Sequence, residues 1–329
     1  MSEQRIPVTV IGGYLGAGKT TLVNYVLRTS GERIAVIVND FGEISIDEDL
    51  IVAAEGDKLT LANGCICCTL ADGFAAALMQ VRSAGTPPAR LLIEASGVAD
   101  PAQVAAYGHT PGLRLDAVVV LADAEQVRRL ANDRWVADTV RGQLGAADLL
   151  VLNKIDLLAS DDDADELCNW LRAVAPGAAL VRARHAAVPS NVLFDTSAEA
   201  LDGTDPGTSK LEGPRASGAT AAGHAHEHAA DLFESQTVTL DEPVPSARIR
   251  DLLDNVPDGV ARLKGLVRVT EGDGSHDAPS SVADWVIEAV GTRTSMTPSE
   301  PHRRWVISVI AHKGSLPVDW LVDRLAGHD

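Results

Sequence analysis

Short apolar runs alternate with longer amphipathic stretches through the first two hundred residues. Residues 8–11, 34–38, 91–93, 117–121 and 149–152 are runs dominated by Val, Ile, Leu and Ala. Their brevity and continuous apolarity fit strands covered on both faces, the habit of a parallel sheet. Residues 19–28, 73–82, 124–130 and 163–174 lie between them with helical periodicity. The alternation predicts an α/β fold: a P-loop NTPase-type parallel sheet sandwiched by helices.

The pattern then breaks. From about residue 200 to 230 the chain is Gly, Ser, Thr, Pro and Ala with few large apolar groups, ending in His224-Ala225-His226-Glu227-His228. So little core-forming material reads as a mobile linker. Residues 233–240, 261–269, 282–290 and 305–311 then read as strands, and 246–253 and 317–325 as helices, giving a smaller α+β C-terminal domain. The expected division is 1–200, a linker at 201–231, and 232–329, with no internal repeat of fixed period.

Charge and cysteine usage narrow the function. A net charge of −18 over 329 residues excludes a broad nucleic-acid surface, which needs clustered Lys and Arg. The opening residues carry no apolar signal segment and no run is long enough to span a membrane, so neither membrane nor nucleic acid is expected as a partner. Three of four cysteines crowd into Cys65, Cys67 and Cys68, and adjacent cysteines pair only with strain. A reducing cytoplasm is the expected location.

Gly13-Tyr14-Leu15-Gly16-Ala17-Gly18-Lys19-Thr20 fits GxxxxGK[ST] in full, after a strand and opening a helix. Gly13, Gly16, Ala17 and Gly18 would lend backbone N–H groups to phosphates at a helix N-terminus, with Thr21 following. Lys19 would reach the β- and γ-phosphates and the Thr20 hydroxyl would bind Mg²⁺. Asn153-Lys154-Ile155-Asp156 follows an apolar run. There the Asp156 carboxylate can accept two hydrogen bonds from guanine that adenine cannot supply, which points to GTP. Glu94 ends the run 91–93 as a Walker-B-like acid facing Mg²⁺, the bland alternative being a solvated cap. Gly97 would offer its N–H to the γ-phosphate. Asp40 and Glu43, in Asn39-Asp40-Phe41-Gly42-Glu43, are oxygen ligands or water-positioning groups of a first switch loop, or solvated turn acids.

Cys65, Cys67 and Cys68, after Asn63-Gly64, can fill three corners of a tetrahedron around a borderline ion and leave one open. A Cys65–Cys68 redox pair is the competing reading. Cys168 reads as a small core residue, and the five tryptophans as core or interface groups. The His224/His226/His228 cluster is either a loose metal site or a solvated linker.

In order, GGYLGAGKTT, NDFGE, NGCICC, EASGVADP and NKID resemble the CobW-type GTPases, relatives of the nickel-insertion GTPases of hydrogenase and urease. The likeness runs over about residues 6–200 and thins to Phe233-Glu234-Ser235 and Arg262-Leu263-Lys264-Gly265 beyond. It implies a metallochaperone that binds Zn²⁺ or Co²⁺ at Cys65, Cys67 and Cys68, with Glu43 nearby, and hydrolyses GTP to deliver the ion to a client protein. It also implies phosphate and Mg²⁺ handling by Lys19, Thr20 and Glu94, and guanine recognition by Asn153, Lys154 and Asp156. Many relatives carry Glu where Asp40 stands, and the histidine tract is brief. The fifth nucleotide motif is indistinct at Arg182-Ala183-Arg184-His185.

The leading expectation is therefore a Mg²⁺-dependent GTPase that transfers zinc, a homodimer being one admissible state. No residue replaces the water-positioning Gln of signalling GTPases, so turnover alone should be slow. A cobalt-handling GTPase, serving cobalamin synthesis or a nitrile hydratase, is the alternative within the class. A non-catalytic metal sensor or scavenger is the alternative outside it.

Overall fold

Buried Val, Ile and Leu are the core of the first unit in the computed structural model, which describes residues 5–38, 59–60, 87–194, 232–271, 281–302, 304–316 and 320–326. These fall into two compact units, one closing at Phe194 and the other containing everything from residue 232 onward.

The first unit opens with β1 (Ile6–Gly13), α1 (Lys19–Thr29), β2 (Ile34–Val38), β3 (Leu59–Thr60) and β4 (Arg90–Glu94). Next come α2 (Pro101–Ala105), β5 (Leu113–Asp123), α3 (Val127–Leu130), α4 (Ala137–Gly145), β6 (Leu149–Asn153), α5 (Asp161–Val174), β7 (Ala179–Arg182) and α6 (Ser190–Leu193). The sheet order is β3-β2-β4-β1-β5-β6-β7. The pairs β2–β3, β2–β4, β1–β4, β1–β5 and β5–β6 are all parallel. Apolar runs become strands here because both faces are covered: Val8, Val10, Leu91, Leu92, Val119 and Leu149 are all fully buried. β1 is central, with β4 on one side and β5 on the other. The chain reverses its direction of winding there, which opens a crevice at the strands' carboxyl ends.

Two helical expectations shift. The helix expected at 124–130 is only Val127–Leu130, because Asp123 accepts the Glu125 N–H and the Gln126 N–H donates to the Asp123 carbonyl, closing a turn first. The helix expected from 163 begins at Asp161, where the Ser160 hydroxyl accepts the Asp163 N–H as an N-cap. The helix expected at 73–82 lies outside the described residues.

The second unit contains β8 (Phe233–Leu240), β9 (Val244–Pro245), α7 (Ser246–Asp254), β10 (Val260–Glu271) and β11 (Ser281–Val290). It continues with β12 (Arg293–Pro298), β13 (Trp305–His312) and α8 (Trp320–Ala326). Its sheet runs β12-β11-β10-β13-β8 with antiparallel neighbours, and β9 adds parallel to β10. Ile249, Leu252, Leu321 and Leu325 of the helices pack on Leu263, Val267, Ile287, Ile307 and Val309. Gly265 sits within this face. A Cβ there would lie 2.9 Å from the Cγ1 atoms of both Ile287 and Ile307. Gly265→Val should therefore cost about 1–3 kcal/mol by overpacking, read as a lower urea midpoint. An unchanged midpoint would mean the sheet core has slack at this position.

Cys168 is buried, as expected of a core thiol. Trp135 departs from a core placement: it is 78% exposed, with the Arg134 guanidinium 4.6 Å from its ring centre. Among the described residues no helix is long and apolar enough to cross a membrane.

Candidate functional site

The phosphate-type loop joins β1 to α1 with its glycines in the left-handed half of backbone space, at φ 130° for Gly13, 77° for Gly16 and 105° for Gly18. The Ala17 N–H donates to the Tyr14 carbonyl at 3.1 Å, which curls the loop. Gly18 is further constrained from outside: a Cβ there would meet Asn153 Nδ2 at 2.5 Å. Lys19 is buried and folds back under the loop, its Nζ donating to the carbonyls of Gly13 at 2.9 Å and Tyr14 at 3.4 Å. An ammonium held below a row of N–H groups at a helix N-terminus makes a cradle for anionic oxygens.

Glu94 ends β4 beside β1, in register with Ile11. It is 5% exposed, so it is not a solvated cap. The Thr20 hydroxyl donates to Glu94 Oε1 at 2.8 Å, bringing together two hard oxygen donors 74 residues apart. That donor pair fits Mg²⁺, which takes carboxylate and hydroxyl oxygens alongside phosphate.

On the other flank, β6 ends in Asn153, in register with Asp123 at the end of β5. Asn153 is a bridge: its Nδ2 donates to the Ala17 carbonyl at 2.9 Å, and its Oδ1 accepts the Ala186 N–H at 2.8 Å. Lys154 follows in the left-handed conformation (φ 63°), and its Nζ pairs with Asp123 Oδ2 at 2.7 Å. The Asp123 side chain is almost fully buried and that of Lys154 is partly exposed, so the pair sits at the edge of the crevice. Asp156 lies within the short 3-10 turn Ile155–Leu157 that follows, and the exposed ring of His185 lies 3.8 Å from its carboxylate. The indistinct stretch 182–185 thus comes to the same end of the sheet as Asp156, through His185 and Ala186.

Lys19, Thr20, Glu94, Gly97, Asn153, Lys154 and Asp156 therefore gather at the carboxyl ends of β1, β4 and β6. Asp40, Glu43, Cys65, Cys67, Cys68 and the His224/His226/His228 cluster lie outside the described residues. Among the described residues no group of three or more His, Cys, Asp or Glu side chains could hold a metal ion. Two residues were not anticipated. Asp123 was signalled only as an acid ending an apolar run, as Glu94 is. Gln143 on α4 is buried and carried no motif at all.

Comparison with known proteins gives this geometry a context. A family profile described as "CobW/HypB/UreG, nucleotide-binding domain" matches residues 7–182. The chain is 32% identical over 327 residues to a protein named zinc chaperone CobW from Sinorhizobium sp., covering 89% of this chain and 87% of that one. It is 31% identical over 276 residues to the zinc chaperone YjiA of Escherichia coli, covering 80% and 81%. It is also 31% identical over 224 residues to zinc-regulated GTPase metalloprotein activator 1 of Saccharomyces cerevisiae, covering 60% and 52%. A solved structure, Zn(II)-bound YjiA GTPase from E. coli, aligns over 98% of each chain at 24% identity with a TM-score of 0.46.

Proposed function

The chain belongs to the CobW/HypB/UreG family, and from that premise we propose that it is a GTP-dependent chaperone that carries zinc to a client protein. The observation that carries the nucleotide half is the Asn153 bridge, which ties the phosphate-type loop to the Lys154–Asp156 segment in one hydrogen-bonded unit. The metal half rests on Cys65, Cys67 and Cys68 together with relatives named for zinc.

In this reading Asp156 accepts the guanine hydrogens, Lys154 covers the base, and Asn153 fixes the distance between base and phosphates. Lys19 holds the β- and γ-phosphate oxygens, with the N–H groups of Gly13, Gly16, Ala17, Gly18 and Thr21 around them. Thr20 and Glu94 would hold Mg²⁺, which neutralises charge developing on the transferred phosphate. Gly97 reports the γ-phosphate, and Glu43 orients water or reaches the thiolates. The three thiolates hold zinc with one corner open for the client's ligand. Cobalt would fit the same donors but stands lower in the intrinsic affinity order. Residues 1–200 carry this chemistry, 201–231 link it to 232–329, and the cytoplasm keeps the thiols reduced.

The test is zinc affinity of the reduced protein with no nucleotide, with GDP and with a non-hydrolysable GTP analogue. A difference of roughly tenfold or more between states, about 1.4 kcal/mol of coupling, is expected, and it should vanish with the affinity in a Cys65/Cys67/Cys68 triple Ser variant. Equal zinc affinity in all three states would sink the delivery mechanism.

A further inference from the structure

The turn after β4 is held from every side. The Ala95 N–H donates to the Ile11 carbonyl at 2.8 Å, and the Ala99 N–H closes the turn onto the Ser96 carbonyl at 3.0 Å. Two more of its carbonyls, those of Gly97 and Ala99, are taken by one side chain on another element. Gln143 Nε2 donates to Gly97 O at 3.1 Å and to Ala99 O at 2.9 Å. A primary amide carries two N–H bonds, and both are spent on this turn. Gln143 is 3% exposed and sits on α4 beside the buried Val140 and Leu144, so it is itself fixed by packing.

The phosphate-type loop also presses on the turn. A Cβ on Gly97 would lie 2.5 Å from Leu15 Cδ2 and 3.0 Å from the Leu15 backbone nitrogen. The turn is thus held by contact with Leu15 and by bonds from Gln143, directly after the Glu94 that bonds Thr20. Peptide planarity then converts carbonyl contacts into N–H directions. Fixing Ser96 O sets the Gly97 N–H, and drawing Gly97 O toward α4 turns the Val98 N–H the other way.

We propose that Gln143 is a positioning residue that holds the Ser96–Gly97–Val98 peptides in the arrangement that recognises a terminal phosphate, so that discrimination between GTP and GDP depends on it. This rests on the reading of the site as a GTP site and deepens it. GDP lacks the group the turn would meet and should be indifferent to the clamp. A tie that merely holds α4 to the sheet would affect both nucleotides alike.

The experiment uses the full chain and two variants. Gln143→Met keeps the length and apolar burial but removes both donors. Gln143→Glu places an acceptor against two carbonyls. Affinities for GDP and for a non-hydrolysable GTP analogue are measured with Mg²⁺, beside thermal midpoints. The expected result is GDP affinity at the wild-type level in Gln143→Met, with analogue affinity lower by roughly tenfold, and a larger loss in Gln143→Glu. An unchanged ratio of the two affinities in Gln143→Met overturns the proposal alone, as does a parallel loss of both that follows the thermal midpoint. Wild-type protein that binds neither nucleotide overturns the GTP reading and this proposal with it.

Discussion

Lys19→Ala should lower the single-turnover rate of phosphate release from GTP by about 10²–10³-fold, the loss typical when one preorganised charge-stabilising donor is removed. The magnitude follows from where the ammonium lies. Lys19 is buried, and its Nζ bonds directly to the carbonyls of Gly13 and Tyr14 in the loop that would wrap the phosphates. In such a position the cation acts at low effective dielectric, and it is already placed before charge develops on the transferred group. Lys19→Arg should not rescue the rate, because a planar fork cannot occupy a point-donor position under two carbonyls. A rate unchanged by Lys19→Ala would remove this loop from the catalytic reading.

Asn153→Ala should be the more damaging change for the fold and nearly as damaging for binding. Asn153 is 2% exposed, and both its bonds reach buried backbone groups, the Ala17 carbonyl and the Ala186 N–H. Truncation leaves each without its partner where water does not enter, at about 1–3 kcal/mol per group. The combined loss expected is about 2–6 kcal/mol of stability. GDP affinity should fall as well, since the loop beneath the phosphates and the segment carrying Asp156 lose their common tie. Asn153→Asp separates the two bonds: it keeps an acceptor for Ala186 but has no donor for Ala17. Denaturant titration beside GDP binding reads both effects. Wild-type behaviour of the Ala variant in both would show that the bridge carries neither load.

What could be read from the chain was what local spacing encodes. Gly13 to Thr20 is contiguous, and its glycines answer local backbone demands, so the loop was legible along with the strand before it and the helix after it. Glu94 and Asn153 were legible because each ends an apolar run, where a parallel sheet exposes its carboxyl end. The clamp by Gln143 and the ion pair of Asp123 with Lys154 were not. Their partners stand 44–46 and 31 residues away, and nothing in the intervening sequence announces that the elements meet. Strand β12 escaped for another reason. Arg293–Pro298 lies at the sheet edge and is largely solvent-facing, so it lacks the apolar alternation that marks a half-buried strand. β7 was similarly obscured by its brevity, four residues following Pro176-Gly177.

The central position of β1 governs when this domain can come into being. The first strand to be synthesised finds its neighbours late: Val8 pairs with Leu91, and Ile6 with Leu113. Parallel pairing over such separations must pay loop-closure entropy before any contact rewards it, which makes folding slow. At roughly 5–20 residues per second on the ribosome, β1 waits about 5–20 s for β5 to emerge. Until β4 emerges its apolar residues have no strand to pair with, and until β5 and β6 follow the Gly13–Gly18 backbone has no Leu121 or Asn153 to shape it. Asn153 comes later still. The nucleotide pocket is therefore among the later parts of the N-terminal unit to form in a nascent chain, and capture of a guanine nucleotide would mark an N-terminal unit whose sheet has closed around β1.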